Sequence, residues 1–429
     1  MKRDFAAPAP GLPKPLRVFL ALSVALNGLC VAIMEGQKHL LHRGFPYSFP
    51  FLSAPGFVDL LVFRPRFQHI HQLDFFAGAP NVSDRFLYPA PDTFLYAFFY
   101  MGGRHVIALF LVVTMTLLLA LAVTLGRQMV RRGVASRMTF VFLSSSALLS
   151  YPLWFEYGLG NMEICIFVIV AFGIIAFLRN KPAWSATLIG LAAALKIFPF
   201  VYMALLFTRR KYKELALGIA VIAIAELAAL WFLGPSLSIA YHGVRSGAAY
   251  FQQWYVRQLH PVEIGFDHSL FGLIKAVAYY FIGWIMPERL VRVYLAFVSI
   301  AGLALYFLRI RFLPVLNQVL CLTIASILFP PVSHDYTLLH LYVPWALFVL
   351  YALDQARATG TTDKRILPVF LCFAVLLSAE SELVYKGLGH SGQLKAIVLM
   401  VLLYIGLKYP FAPAEKQFRG MTPAVEFLP

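Results

Sequence analysis

Charged residues are scarce in this chain of 429 residues, and acidic residues are the scarcer of the two signs. Asp, Glu, Lys and Arg together make up 13% of the sequence and hydrophobic residues make up 60%, whereas soluble domains carry about 25% charged residues. Apolar runs extend from near the start to near the end, leaving no stretch for a separate soluble domain. The composition therefore predicts one all-α, polytopic membrane domain over residues 1–429.

Cysteine is also rare, and no phosphate-binding loop is recognisable. A Gly-rich loop with its lysine is missing, which argues against direct use of a nucleotide. The pair His69 and His71 is too little to predict a metal ion, so we expect no metal and no cofactor. The cysteines lie inside or beside apolar segments without paired spacing, which does not indicate a zinc site or disulfide framework; they are Cys30, Cys165, Cys321 and Cys372.

The net charge of +16 comes from Lys and Arg in short clusters between apolar runs. This pattern is typical of cytoplasmic loops, with anionic lipid as the counter-charge and no nucleic-acid partner. Spans of about 20 apolar residues are the expected unit, and the positive-inside rule places a tail, 409–429, in the cytoplasm. About ten full spans are predicted, near 18–34, 106–126, 138–153, 164–178, 215–233, 290–308, 314–329, 336–352, 366–384 and 396–408.

Two apolar segments do not fit as full spans. A straight span over 183–207 would place Arg209, Arg210 and Lys211 on the outer face, against the charge bias. Because Pro199 interrupts this run near its middle, we predict a re-entrant or broken hairpin that enters and leaves on the cytoplasmic side. The segment 270–284 is predicted to be a partial helix at the outer face.

This topology brings three loops to one outer face, which is predicted to form the site: 35–104, 234–289 and 330–335. They carry more Arg and His than translocated loops usually do. An arginine-rich surface of this kind suits a lipid-linked phosphate or pyrophosphate, although nonspecific contact with anionic headgroups is the simpler alternative. The residues predicted to bind the donor phosphate are Arg64, Arg66, Arg257 and His268, with Lys196 at membrane depth.

Five stretches in a fixed order resemble one known family. They are Asp59-Leu60-Leu61-Val62-Phe63 with Tyr88-Pro89-Ala90-Pro91, then Gly158-Leu159-Gly160-Asn161, then Gly190 to Pro199 (GLAAALKIFP), and Pro330-Pro331-Val332-Ser333-His334-Asp335. Together they resemble the polyprenol-phosphate-sugar-dependent glycosyltransferases of family 87, in the C-type superfamily of integral membrane glycosyltransferases. Ala90 replaces a proline usual in the family, and Asp267-His268-Ser269-Leu270 stands where Asn-Gln-Ser-Leu is common.

The resemblance implies a chemistry that these residues can perform. A sugar on a polyprenyl phosphate already has a good leaving group, so one carboxylate acting as general base on the acceptor hydroxyl suffices for an inverting transfer. Asp59 matches the family's catalytic aspartate, and Asp74 is the alternative base. His334 matches a family histidine that could orient the base or contact the donor phosphate, or it could simply cap its helix.

Other residues in the motifs are expected to line the site or contact the acceptor: Tyr88, Asn161, Asp267 and Asp335. Lys196 needs a partner because charge is costly at membrane depth, and the sequence leaves Glu156, Glu163 and Glu226 equally open.

The resemblance favours mannose as the sugar, with arabinofuranose also possible, and a glycolipid or polysaccharide as acceptor. It places the site on the periplasmic or exterior face of the inner membrane. The main alternative function is a flippase or transporter of lipid-linked sugars, since broken helices also mark transport pathways.

Overall fold

The structure is a computed structural model, and it describes residues 11–40, 56–67, 70–71, 75, 86–281, 286–379, 384–385 and 388–412. Helices make up nearly all of this part of the chain. They are α1 (Lys14–Leu40), α2 (Val58–Val62), α3 (Arg64–Phe67), α4 (Asp92–Tyr100), α5 (Val106–Arg131), α6 (Ser136–Leu148), α7 (Tyr151–Leu159), α8 (Glu163–Leu178), α9 (Pro182–Leu195), α10 (Met203–Thr208), α11 (Tyr212–Leu233), α12 (Leu237–Phe251), α13 (Pro261–Phe266), α14 (Leu270–Phe281), α15 (Glu288–Leu308), α16 (Val315–Leu328), α17 (Tyr342–Thr359), α18 (Ile366–Leu377) and α19 (Ser391–Lys408).

Shorter elements connect these helices. A π-helix, Gln252–Arg257, follows α12 directly. The strands Val384–Tyr385 and Leu388–Gly389 form a two-stranded antiparallel sheet in which Val384 pairs with Gly389. Segments of 3₁₀-helix occur at Gly103–His105, Phe198–Tyr202, Ile310–Phe312 and Asp335–Leu341.

The prediction of a polytopic helical membrane protein is confirmed, but the count of ten full spans is not. In the described residues, six helical stretches are long and apolar enough to cross a membrane, or seven if α6 and α7, bent by 55°, form one broken span. The six stretches are Lys14–Ile33, Gly103–Arg131, Tyr212–Leu233, Glu288–Phe312, Asp335–Thr359 and Ser391–Lys408.

Three of the predicted spans form helices that are too short. Helix α8 has 16 residues, α16 has 14 and α18 has 12. At about 1.5 Å per residue these helices reach roughly 18 to 24 Å, less than the hydrocarbon core of about 30 Å. Their faces are largely buried in protein, and a helix that is apolar all round can be a core helix instead of a lipid-facing one. Composition alone counted both kinds as spans.

The segment 183–207 breaks where Pro199 predicted. Helix α9 ends at Leu195, Lys196 is extended, and the chain resumes as 3₁₀-helix at Phe198. Gly190 of α9 lies so close to α11 that an added Cβ would be 2.6 Å from the carbonyl oxygen of Gly218. Met203 also packs on Gly218. Both limbs of the broken segment therefore lie beside the early turns of α11. Similarly, the partial helix expected at 270–284 forms the short helix α14.

Candidate active site

Asp59 lies on the one-turn helix α2, which is fixed against the end of α7. Phe57, in the left-handed region with φ 62°, donates its N–H to the Gly158 carbonyl oxygen at 2.6 Å. Gly160 ends α7 with φ 67°, and an added Cβ there would lie 2.9 Å from the Cβ of Leu60. Only glycine tolerates both the positive φ and this close approach. The turn therefore brings Asp59 next to Asn161.

Asn161 contacts the Asp59 carboxylate directly. Its Nδ2 donates to Oδ2 of Asp59 at 2.7 Å and lies 3.4 Å from the hydroxyl of Tyr88. Its Oδ1 accepts the N–H of Glu163 at 3.0 Å, at the start of α8. Because the carbonyl end of the amide is occupied by this N–H, the NH₂ end must face the carboxylate. Asn161 thus accepts a backbone N–H at the start of α8 and donates a hydrogen bond to Asp59.

The surroundings of Asp59 favour its neutral form. Burial raises the pKa of this carboxyl above its ordinary value, while the hydrogen bond from Asn161 and the charges of Lys196 and His334 oppose that rise. Asp59 nevertheless keeps part of its surface exposed. A reachable carboxylate with a raised pKa has the properties of a general base.

Lys196, at the break between α9 and the following 3₁₀-helix, is held beside this carboxylate by a buried cluster. Its ammonium pairs with Oε2 of Glu163, whose Oε1 lies 2.6 Å from Nε2 of His340. The same ammonium lies 4.9 Å from the ring centre of Tyr336 and 5.7 Å from that of Tyr88. Of the three partners left open by the sequence, the structure therefore selects Glu163.

Asp92 is a further buried carboxyl near this cluster, at the start of α4. Burial raises its pKa to about 8, although the charge of Lys196 acts in the opposite direction. At neutral pH Asp92 is therefore mostly uncharged and does not compete with Glu163 for the ammonium.

His334 lies at the edge of the same site. Its Nε2 is 3.4 Å from Oε2 of Glu263, and its ring is 5.8 Å from that of Tyr336 and 6.5 Å from that of Tyr255. His334 precedes the 3₁₀-helix Asp335–Leu341, but its side chain forms no cap hydrogen bond there. The imidazole is therefore directed toward Glu263 and lies close enough to affect the pKa of Asp59.

Asp267 forms a buried ion pair with Lys275 of α14. Its Oδ1 accepts the N–H groups of Ser269 and Ser333, each at 3.0 Å. Although burial favours the neutral acid, the charges of Lys275 and His334 hold the pKa of Asp267 below its usual range. Asp267 thus ties the turn at 330–335 to α14 and is not exposed to an acceptor.

Asp335 is the centre of a third buried cluster. Its Oδ1 pairs with Nζ of Lys395 at 2.8 Å and lies 3.6 Å from Nδ1 of His268, while Oδ2 accepts a hydrogen bond from the hydroxyl of Tyr151 at 3.2 Å.

His268 is also held on its other side, because its Nε2 lies 3.1 Å from the hydroxyls of both Thr337 and Ser333. Burial lowers the pKa of His268. This fully buried, neutral imidazole supports the loops, and the structure gives it no surface that a donor phosphate could contact.

The three arginines predicted to bind phosphate lie on two different elements, α3 and the π-helix. Arg64 is exposed on α3, whereas Arg66 on the same helix is buried. Arg257 donates to the Met286 carbonyl oxygen and to Gln253, on the π-helix. The rival base Asp74 and the histidine His69 lie outside the described residues. Within the described residues, no group of three or more His, Cys, Asp or Glu side chains could hold a metal ion.

Several site residues were missed by reasoning from the sequence. Lys275 and Lys395 each lie in an apolar helix, where a charge should have a buried partner, so their sequence context carried a usable signal. His340 and Glu263 had no such signal. Their roles arise from packing between segments more than 60 residues apart in the chain.

Comparison with known protein families identifies the class of protein. A family described as Glycosyltransferase family 87 matches residues 86–333, more than half of the chain. The chain belongs to glycosyltransferase family 87. It is therefore a membrane glycosyltransferase with a donor and an acceptor substrate. No curated protein and no solved structure matches it. The matched region includes Tyr88, Asn161 and Lys196, whereas Asp59 precedes it and His334 follows it directly.

Proposed function

We propose that this protein transfers a sugar from a polyprenyl-phosphate carrier to an acceptor hydroxyl on the outer, periplasmic face of the inner membrane. Mannose is the favoured sugar, and the reaction inverts the anomeric centre. The observation that carries the proposal is the pairing of Asp59 with Asn161 at 2.7 Å beside the ammonium of Lys196. This arrangement places a carboxylate of raised pKa close to a fixed positive charge.

The two charges suit the two halves of the reaction. Asp59 takes the proton of the attacking hydroxyl, and the hydroxyl oxygen forms a new bond to the anomeric carbon. The bond from that carbon to the phosphate oxygen breaks, and the carrier leaves as polyprenyl phosphate. Its negative charge is stabilised by Lys196, which Glu163 and His340 hold in place. A preorganised cation of this kind stabilises charge that develops in the transition state.

A lipid-linked donor is also supported by an apolar cavity of about 450 Å³ between α5, α6, α7, α8 and α17. Phe167 lines it, and the Phe167 ring lies 5.8 Å from that of His340, next to the proposed phosphate site. Because the lining is almost wholly apolar, an isoprenoid chain is the part of the donor that it would bind best.

The decisive experiment uses Asp59→Asn in membranes supplied with radiolabelled polyprenyl-phosphate mannose. We expect transfer to fall by at least about a hundredfold, the usual contribution of a general base. The matched control is Glu288→Gln, which makes the same carboxylate-to-amide change at an exposed ion pair with Arg292 and should leave transfer unchanged. Unchanged transfer by a correctly inserted Asp59→Asn protein would refute the assignment and direct attention to Asp74.

The same membranes distinguish transfer from transport. In sealed vesicles, a transporter would move intact lipid-linked sugar between leaflets without forming a new glycosidic bond. Appearance of labelled product with depletion of the donor supports the proposal, whereas leaflet exchange without product would favour a flippase. Repeating the assay with a polyprenyl-phosphate arabinofuranose donor tests the choice of mannose.

A further inference from the structure

Two aromatic stacks include residues of the π-helix Gln252–Arg257. In the outer stack, the rings of Tyr250 and Trp254 are nearly parallel, at 7°, with centres 5.9 Å apart, and His260 lies 5.2 Å from Trp254. Trp254 is 40% exposed. We call these three side chains the outer aromatic surface. Part of the indole is exposed, and it has no role in the proposed transfer reaction.

The inner stack connects this surface to the site. Tyr255, the neighbour of Trp254, stacks on Phe251 at 5.2 Å and lies 6.5 Å from His334. His334 in turn is close enough to Asp59 to affect its pKa. Ring contacts therefore connect His334, at the edge of the site, to the π-helix that carries the outer aromatic surface.

The π-helix is held in place by a buried ion pair. The ammonium of Lys275 donates to the Tyr255 carbonyl oxygen at 3.4 Å while it pairs with Asp267. Asp267 also accepts the N–H of Ser333, next to His334. The same carboxylate thus fixes both the π-helix and the turn beside the base. Such π-helical turns are rare and frequently occur at functional sites.

Polar side chains occur in the same segment as the aromatic rings. Nε2 of His260 lies 2.6 Å from Oε1 of Gln258, and Arg257 donates to Oε1 of Gln253 at 2.9 Å. A sugar ring needs both features, because its C–H face packs on the negative face of an aromatic ring while its hydroxyls need donors and acceptors at the rim.

We propose that the outer aromatic surface binds a sugar unit of the acceptor, so that the acceptor is a glycan or glycolipid with at least one unit beyond the reacting one. This inference rests on the proposed function, because the acceptor hydroxyl must reach Asp59. The competing role is an anchor at the membrane interface, where Trp and Tyr are common. An anchor requires neither the ring stack with His260 nor the path of rings to His334.

The test measures saccharide binding by the full-length protein in nanodiscs, using saturation-transfer NMR with linear oligomers of mannose, arabinofuranose and glucose as probes. Trp254→Ala removes the ring face, and Trp254→Phe keeps an aromatic face. Trp231→Ala is the matched control, because Trp231 is 81% exposed near the end of α11 and lies outside the outer aromatic surface. We expect Trp254→Ala to bind about tenfold more weakly, Trp254→Phe to bind nearly normally and Trp231→Ala to bind as wild type does.

The inference is overturned if no oligomer binds the wild type, if Trp254→Ala binds as well as wild type, or if Trp231→Ala weakens binding equally, as an interface anchor would. Asp59→Asn should bind the oligomers normally while its transfer rate falls at least about a hundredfold. Trp254-dependent binding without any transfer by wild type would refute the proposed function alone. Transfer that is indifferent to Trp254 and to acceptor length would refute the acceptor site alone.

Discussion

Asn161 controls the proton affinity of the proposed base, and its substitution gives the sharpest prediction. The amide donates to Asp59 at 2.7 Å and thereby lowers a pKa that burial has raised. A hydrogen bond to a charged group contributes about 1.5 to 3 kcal/mol, and one pKa unit corresponds to about 1.4 kcal/mol. Removing the donor should therefore raise the pKa of Asp59 by about one to two units.

The sign of the effect on activity follows from the role of a base. Transfer requires the ionised carboxylate, so the rate falls as the pH drops through the pKa of Asp59. With Asn161→Ala, the acidic limb of the pH–rate profile should move to higher pH by the same one to two units. Activity lost at neutral pH should return, in part, at alkaline pH.

Asn161→Asp separates this effect from the hydrogen bond that Asn161 accepts at the start of α8. The new carboxylate can still accept the N–H of Glu163, whereas alanine cannot, and loss of such a hydrogen bond costs about 1 kcal/mol. The aspartate also adds a like charge beside Asp59, which raises the proton affinity of the pair further. We therefore expect Asn161→Asp to shift the acidic limb more than Asn161→Ala while reducing thermal stability less.

The assay is a pH series of transfer rates at saturating donor, with thermal unfolding measured on the same preparations. Loss of activity without movement of the acidic limb would refute the argument, because it would mean that Asn161 acts through structure or substrate binding and not through the pKa of Asp59.

Three further predictions concern the surroundings of the site. Lys275→Met should destabilise the protein by about 3 to 5 kcal/mol, because it leaves a buried carboxylate unpaired, and adding Asp267→Asn should restore most of the loss in denaturant unfolding. Gly190→Ala should lower the unfolding temperature because its Cβ meets backbone at 2.6 Å, whereas Gly302→Ala, with neighbours no nearer than 3.7 Å, should be tolerated. His340→Leu removes the hydrogen bond to Glu163, the carboxylate proposed to position the ammonium of Lys196. In steady-state kinetics it should therefore reduce the maximal rate more than the donor affinity.

Patterns within one segment predicted the local features of this protein well. Pro199 located the break next to Lys196, and long apolar runs located the long helices α1, α5 and α11. Each of these signals depends on backbone chemistry or on a few neighbouring residues. Such signals survive folding because tertiary packing seldom overrides them.

Patterns that depend on distant packing were not predictable in the same way. Glu156, Glu163 and Glu226 were chemically equal partners for Lys196, and only the packing of α8 against α9 selects Glu163. Similarly, hydropathy could not separate a lipid-facing helix from a buried one such as α16, so the span count was too high. His268 looked like a phosphate ligand on an outer loop, but burial makes it a support for Asp335.

The segment from Ser333 to His340 unites these buried charges, and this constrains how the enzyme can work. The N–H of Ser333 donates to Asp267, which pairs with Lys275 of α14. His334 faces Glu263 of α13. Asp335 pairs with Lys395 of α19, and His340 contacts Glu163 of α8. Separating a buried ion pair leaves its charges uncompensated, so large movements of this segment would be costly. The charges around the proposed base are therefore expected to be in place before a donor binds. Substrate-driven rearrangement should be confined to the exposed groups, such as Arg64 and Trp254.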